Sequence, residues 1–353
     1  MTSKALNIIE FLAKSNNELI IDVRAPIEFA KGHIVNAINI PLFEDIERAE
    51  IGTLYKQQGK DIAVNRGLEI VSPKLVPFVN TVKSLSKNKK VYVYCFRGGM
   101  RSNSFAWLMN TSGLDATILE GGYKKYRNHV LNYFEKDKKL VIIGGMTGSG
   151  KTDLIKQLAN ENFQIIDLEG LASHKGSAFG TINEEKQKPQ QIFENKLFHQ
   201  LNLLDDKKII VVEDESQSIG CNKIPRGFWL QMKKAPIIKL EIPFEERVKK
   251  LVNDYTTTNI EALKACVLKI ERNLGPQIAK LCIAYLDENN LIDVARLTLT
   301  YYDKAYSFTY DKKTTKLIIP LLLNTTNIED NTSKLKTALN TINTNDRDQT
   351  NTI

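Results

Sequence analysis

Hydrophobic residues in the first third of the chain fall into short runs separated by amphipathic stretches. Leu19–Val23, Ala37–Ile40, Val91–Tyr94 and Thr117–Leu119 are brief and rich in β-branched or aromatic residues, which predicts buried strands. Between them, Ser72–Ser86 carries Leu75, Phe78, Val79 and Val82 at helical spacing, and Ser102–Met109 reads as the first turns of another helix. Pro26 sits in the first turn of a short helix, where its missing N–H costs nothing. Beyond a charged joint, Lys136-Asp137-Lys138-Lys139, expected to be exposed, the alternation resumes. Leu140–Ile143, Ile209–Val212, Ile237–Ile242 and Ile318–Leu323 predict strands. Leu154, Ile155 and Leu158 predict a helix after the first of these, and Gln191–Leu204 and Phe244–Val252 predict two more. Helical patterns continue to about Asn290, with a break at Gly275-Pro276. Short strands alternating with helices predict an α/β fold with parallel sheets covered on both faces. The expected organisation is a sheet domain over 1–136 and a second α/β domain over 137–323 with a helical C-terminal part. A polar tail over 324–353, rich in Asn, Thr and Asp, reads as disordered or loosely helical.

A length of 353 residues suits two domains, with 42% hydrophobic residues to fill their cores. The net charge of +8 suits an anionic partner such as nucleic acid. Cys95, Cys221, Cys266 and Cys282 are far apart and form no C-x-x-C pair, which argues against a disulfide framework or zinc and for a reducing, cytoplasmic setting. The first residues lack a signal-peptide pattern, and no apolar run reaches membrane-spanning length, so no membrane association is expected.

Two stretches carry chemistry. Val91–Ser102 places Cys95 at the end of a strand, with Arg97, Gly98, Gly99 and Arg101 in the following loop and a helix beginning after it. Backbone N–H groups of such a loop, the helix N-terminus and the two arginines all favour a thiolate and an adjacent anion. The Cys-x5-Arg spacing leaves sulfur, selenium and phosphate chemistry open. The second stretch, Gly145-Met146-Thr147-Gly148-Ser149-Gly150-Lys151-Thr152, is a full G-x-x-x-x-G-K-[ST] between a strand and a helix. Gly145, Gly148 and Gly150 let the backbone approach a diphosphate, Lys151 neutralises outer phosphate oxygens, and Thr152 is a candidate Mg²⁺ ligand. Glu213 and Glu215 follow a second strand, where a metal-facing or acid/base carboxylate belongs; a solvated acidic turn is the alternative. Between these motifs, Asp167–Gly180 is a polar, Gly-bearing loop in which His174, Lys175 and Ser177 either contact a substrate or face solvent. Arg247, Lys249, Lys250, Arg272 and Lys280 read as a solvated helix face or, less simply, a nucleic-acid surface. The Tyr301, Tyr302 and Tyr306 cluster either stacks on bases or packs inside. His33, Asp22 and Arg24 read as structural.

Asp22–Phe29, Gly32-His33-Ile34 and Ala37–Pro41 resemble the opening signature of rhodanese domains, in which the cysteine after the central strand carries a persulfide or related chalcogen. Cys95 takes that position, in a loop one residue longer than in many rhodaneses. A rhodanese-like parallel-sheet domain followed by a P-loop NTPase-like α/β domain is an uncommon pairing. With Gly52–Gly59, Cys95–Ser102, Asp167–Leu171 and Glu213–Ser216, the chain resembles the tRNA 2-selenouridine synthase family from about residue 19 to about 310. The resemblance implies a transferase acting on tRNA with 2-thiouridine at the wobble position. A geranyl group from geranyl diphosphate is placed on the thiocarbonyl sulfur, and selenophosphate then supplies selenium. It implies Cys95 and Arg101 as catalytic residues, Arg97, Gly98 and Gly99 around selenophosphate, and the P-loop with Mg²⁺ on the prenyl diphosphate. A selenophosphate-supplying enzyme is an implied partner. The alternative is a rhodanese-type sulfurtransferase or cysteine phosphatase fused to a small-molecule kinase.

Overall fold

A computed structural model of the chain describes residues 4–177, 179, 180, 182, 184–310 and 317–350; the side chains at 305–310 and 343–350 lie outside the described part. The chain divides into two compact units.

The first unit comprises residues 1–133 and 189–198. Its strands are β1 (Lys4–Leu6), β2 (Leu19–Asp22), β3 (Ile38–Asn39), β4 (Lys90–Tyr94) and β5 (Asp115–Leu119). They form one parallel sheet in the order β1-β5-β4-β2-β3, so β4, which leads into Cys95, lies at the centre. Ile21, Val91 and Val93 of the sheet meet Phe78 and Val82 of helix Leu75–Leu85 and Phe105 and Met109 of helix Met100–Thr111 in one buried core. Two features escaped the hydrophobic pattern. The three-residue β1 is too short to show a period. The paired helices Asp45–Gln57 and Lys60–Val71 bury between them only Ala63 and Gly67. Asp22 and Arg24 are structural as expected. Arg24 is buried, donates to both Asp22 carboxylate oxygens and to the Gly32 carbonyl at 2.6 Å, and lies over the Tyr123 ring. The His33 Nδ1 sits 3.0 Å from the Phe29 carbonyl, with the two rings stacked.

Residues 189–198 belong to this unit although they follow the P-loop in sequence. Arg127 pairs with Glu194 and Asn195, and Asn195 donates to the His33 carbonyl at 2.6 Å and to the Tyr123 hydroxyl at 3.0 Å. The Phe198 ring meets the edges or faces of Tyr126, His129 and Tyr133.

The second unit comprises residues 134–188 and 199–353. Its strands are β6 (Leu140–Gly145), β7 (Gln164–Ile166), β8 (Ile210–Glu213), β9 (Ser218–Ile219), β10 (Asn222–Lys223), β11 (Ile237–Glu241) and β12 (Ile318–Leu322). A parallel sheet runs β12-β11-β6-β8-β7, with β6 central, and β9 and β10 form a separate antiparallel pair. Helices between Phe244–Tyr255 and Leu291–Tyr310 supply the helical part, with Tyr301 and Tyr302 partly buried against its core; the Tyr306 side chain lies outside the described residues.

Two expectations are corrected. The stretch read as a disordered or loosely helical tail contains the long helix Ile328–Thr350, whose Leu335, Leu339 and Ile342 are buried with Leu154, Ile155 and Leu158 of helix Lys151–Asn160. Three apolar residues at i, i+4 and i+7 are enough to seat a helix whose other faces are polar, since burying each is worth roughly 1.5–3 kcal/mol. The charged joint is not uniformly exposed. Lys138 is buried along its side chain and reaches Asp206 at 2.8 Å, and its backbone N–H donates to Gln231. Its methylenes are covered while the ammonium finds a carboxylate.

Candidate active sites

The Cys95 site is built where β4 ends. Cys95 is 3% exposed and its Sγ lies 3.2 Å from the Ser102 Oγ. Burial pushes the thiol up. Hydrogen bonds from the Ser102 hydroxyl and from the Ser102 and Arg97 backbone N–H groups, with the charge of Arg101, outweigh it and hold the thiol below its ordinary value. Arg101 reaches Glu28 at 2.9 Å, and that carboxyl is lowered: burial raises it, but Arg101 more than compensates. The loop is closed from the other side by the turn after β5. Tyr123 N–H donates to the Cys95 carbonyl and Lys124 N–H to the Phe96 carbonyl, both at 2.9 Å. A Cβ on Gly122, at φ +57°, would stand 2.3 Å from the Cys95 carbonyl oxygen, so no larger residue fits. Gly98 approaches the same turn, and Arg97 and Gly99 are exposed on the loop. Cys95, Arg97, Gly98, Gly99 and Arg101 thus share one loop. Ser102, Glu28 and Gly122 complete it. Glu28 and Ser102 stood in quoted motifs, but only contacts across the fold give these residues roles.

The P-loop site follows β6. Gly145, Gly148 and Gly150 all have positive φ, and helix Lys151–Asn160 begins at the lysine. Lys151 Nζ donates to the Gly145 carbonyl at 2.9 Å. The Thr152 Oγ1 lies 2.8 Å from a Glu169 oxygen and 3.2 Å from a Glu213 oxygen. Oxygens of Glu169, Glu213 and Glu215 all lie within 4.8 Å of one another, a group that could hold a metal ion. Burial followed by mutual repulsion raises Glu213 well above the ordinary carboxylate range and Glu215 to about 8. Glu169 is raised chiefly by burial. Three crowded, half-hidden carboxylates beside a P-loop hydroxyl fit a hard divalent cation such as Mg²⁺, which takes oxygen ligands.

Glu169, in a quoted motif but given no role there, joins this group. It lies in helix Leu168–Ala172, which Asp167 caps by accepting from Gly170 N–H at 2.7 Å. The His174 side chain is instead buried, its Nδ1 accepting from Gly176 N–H, and burial lowers its pKa. Lys175 pairs with Glu184 at 3.6 Å, and the Ser177 Oγ accepts from Phe179 N–H. Arg247 is also not a surface residue. It is 5% exposed, forms a two-pronged pair with Asp303 at 2.7 and 2.8 Å, and donates to the Thr147 carbonyl of the P-loop at 3.2 Å. Lys249, Arg272 and Lys280 do face solvent, while Lys250 is tied to Asp153 and Asp254. Among the described residues no helix is long and apolar enough to cross a membrane.

Comparison with known proteins adds to this geometry. Residues 8–129 match the model of the rhodanese-like domain, and residues 138–279 match that of the tRNA 2-selenouridine synthase AAA domain. A tRNA 2-selenouridine synthase of Shewanella frigidimarina is 41% identical over 246 residues, covering 68% of this chain and 66% of that protein. One from Shewanella woodyi is 36% identical over 283 residues, covering 73% of this chain and 75% of that protein. The chain spans 66% of the length of each of the first three relatives it matches. Among solved structures, a rhodanese-related protein from Thermoplasma volcanium is 21% identical, covering 36% of this chain and 92% of that one with a TM-score of 0.24. Matched in both halves and in order, and aligned with three quarters of a relative's own length, the chain belongs to the tRNA 2-selenouridine synthase family.

Proposed function

We propose that the protein replaces sulfur by selenium in 2-thiouridine at the wobble position of tRNA, through an S-geranyl intermediate, with the two reactions assigned to its two sites. One observation carries the reading: a single chain of this family combines a lowered thiol in an anion-favouring loop with a P-loop beside three clustered carboxylates.

In the first reaction the thiocarbonyl sulfur attacks C1 of geranyl diphosphate. The S–C bond forms, the C–O bond breaks, diphosphate leaves, and the base loses its N3 proton. The backbone of Gly145, Gly148 and Gly150 cradles the diphosphate, and Lys151 exchanges the Gly145 carbonyl for a phosphate oxygen. Thr152, Glu169, Glu213 and Glu215 would hold a divalent cation, which would neutralise charge on the departing diphosphate. Alkylation turns a poor leaving group into a thioether on a more electrophilic carbon.

In the second reaction selenium of selenophosphate attacks C2 of the base. The C–S bond breaks and geranylthiol leaves with a proton. Water then cleaves the Se–P bond, giving phosphate and the selenocarbonyl with N3 protonated. Arg97, Arg101 and the Gly98-Gly99 backbone receive the tetrahedral anion next to the Cys95 thiolate. The excess of basic residues suits a tRNA, whose phosphates dominate affinity, and a selenophosphate-forming enzyme supplies the second co-substrate.

The test is mass spectrometry of 2-thiouridine tRNA incubated with the protein, geranyl diphosphate, Mg²⁺ and selenophosphate, leaving out each in turn. A geranyl adduct that converts to selenouridine is expected, with Lys151→Ala blocking the first step and Cys95→Ser the second. Unchanged tRNA under every condition, with phosphate released from small molecules instead, would favour a phosphatase or sulfurtransferase joined to a kinase.

A further inference from the structure

A cavity of about 690 Å³ opens beside Cys95 within the first unit. Its volume lies within the roughly 300–1,000 Å³ usual for small-molecule sites. By the same measure the recess beside the P-loop, lined by Thr147, Phe179 and Tyr302, holds about 50 Å³. The large cavity is walled by the paired helices Asp45–Gln57 and Lys60–Val71 on one side and by Phe105 and Leu108 on the other. Ile51, Val64, Leu68 and Val71 present aliphatic side chains to it, and Cys95 and Phe43 lie among its buried members.

Its apolar lining is also largely uncovered. Tyr55 is 59% exposed, Leu68 63% and Met100 54%, and all three border the cavity. Large exposed apolar side chains gathered around one opening mark a site that something apolar fills. Its charged members are cations: Lys56, Lys60, Arg48, Arg97 and Arg101 line the same space, and among the described residues no carboxylate does, although Glu28 behind the lining pairs with Arg101 and stands near Arg48. Aliphatic walls, several cations and a thiol therefore meet in one place. Selenophosphate alone would need the cations and the thiol but not the walls. A ligand that brings an anion and a hydrocarbon to Cys95 together needs all three.

We propose that this cavity is the seat of the prenyl chain of the S-alkylated wobble base, holding it while selenium displaces the sulfur at Cys95. The inference rests on the two-reaction reading above. The alkyl chain lies along the aliphatic walls, which sets the C–S bond next to the Cys95 loop and its bound anion. The same seat receives geranylthiol when the C–S bond breaks.

The experiment uses full-length protein, selenophosphate and two anticodon stem-loop RNAs, one carrying S-geranyl-2-thiouridine and one S-methyl-2-thiouridine. A methylene in an apolar pocket is worth about tenfold or more in specificity, so wild type is expected to favour the geranyl RNA by at least ~100-fold in kcat/KM. Val64→Trp pushes a bulky ring into the cavity, and Leu68→Arg, at a mostly exposed position that tolerates the change, puts a charge on its wall. Both are expected to lower kcat/KM on the geranyl RNA by about tenfold or more and to leave the methyl RNA unchanged, which also reports folding. Geranylation of 2-thiouridine RNA by geranyl diphosphate is expected to be unaffected. Equal losses on both RNAs, or no loss on the geranyl RNA, overturn the proposal. So does a loss of geranylation with intact selenation, which would make the cavity the seat of the prenyl donor. Wild type that converts neither RNA to selenouridine overturns the two-reaction reading itself, and the proposal with it.

Discussion

The Cys95 Sγ lies 3.2 Å from the Ser102 Oγ, in the first turn of the helix that follows the loop. That hydroxyl is the foremost of the groups opposing the burial of the sulfur. Removing a hydrogen bond to a charged group costs about 1.5–3 kcal/mol. Ser102→Ala is therefore expected to raise the Cys95 pKa. The thiolate is the reactive form, so a lowered pKa keeps Cys95 reactive at lower pH, and the variant moves that onset upward. Iodoacetamide labelling of the Cys95 peptide against pH, followed by mass spectrometry, checks this. Cys282, pushed up to about 11 by burial, provides an unreactive internal reference.

Glu28 holds Arg101, and its own carboxyl is lowered by that contact against the opposing effect of burial. A lowered carboxyl contributes stability that is present above its unfolded value, near 4.3, and lost as pH falls through the folded one. The stability gap between wild type and Glu28→Gln is expected to be full at pH 7 and to close below about pH 4, as read by urea denaturation across that range. The variant also frees Arg101 to move. The selenium step should slow with a raised KM for selenophosphate, while geranylation stays unchanged.

The three crowded carboxyls near Thr152 are all raised, so a cation binds there by displacing protons. Glu213→Gln keeps a neutral group at that position but removes an oxygen that can ionise toward a cation, and is expected to leave the Tm without Mg²⁺ close to that of wild type. Wild type should gain about 2.7 kcal/mol when Mg²⁺ is present at a hundred times its Kd, and the variant should gain little. Thermal denaturation with and without Mg²⁺ distinguishes a cation site from an acidic turn, which would show no difference between the two proteins.

Arg247 is locked to Asp303 and to the Thr147 carbonyl, with its side chain nearly covered. Breaking a buried pair from one side costs roughly 3–5 kcal/mol. Arg247→Ala should therefore lose about that much stability in urea, whereas Lys249→Ala, at an exposed residue, should lose next to nothing. If both variants instead weaken tRNA binding equally with stability intact, Arg247 belongs to an RNA surface.

Leu339 in helix Ile328–Thr350 is 2% exposed against Leu154 and Leu158. Leu339→Ala is expected to cost about 2–5 kcal/mol in urea denaturation, as a residue of an unstructured tail would not.

The central strands were legible because each is a compact apolar run, and the P-loop because its glycines and lysine stand at fixed offsets. The C-terminal helix was not, because Leu335, Leu339 and Ile342 are isolated among Asn, Thr and Asp, and the chain average hides three well-spaced contacts. The helices walling the large cavity were missed for a related reason. Val64, Leu68 and Val71 do share one helix face, but that face lines the cavity and few of its residues are buried, so the pattern is short and broken by polar positions. In the sites, the local motifs exposed Cys95, Lys151 and Thr152. Glu169, Glu28 and Ser102 act through partners up to 73 positions away, and their roles emerge only once the strands bring them together. Arg247 was misread because a basic residue on an amphipathic helix looks alike whether it faces water or a buried aspartate.

The membership of residues 189–198 in the first unit has a consequence for biosynthesis. A nascent chain that has just emitted Tyr133 holds all five strands of its first sheet but lacks the partners of Arg127, of the Tyr123 hydroxyl and of the His33 carbonyl. At roughly 5–20 residues per second those partners are made several seconds later, after the whole P-loop. The scaffold around Cys95 therefore matures on the ribosome only once the P-loop has been translated. A gene fragment cut at the apparent boundary near residue 136 should yield a protein that exposes Tyr126 and Tyr133 and aggregates, and supplying the missing ten residues as a fused segment should restore its solubility.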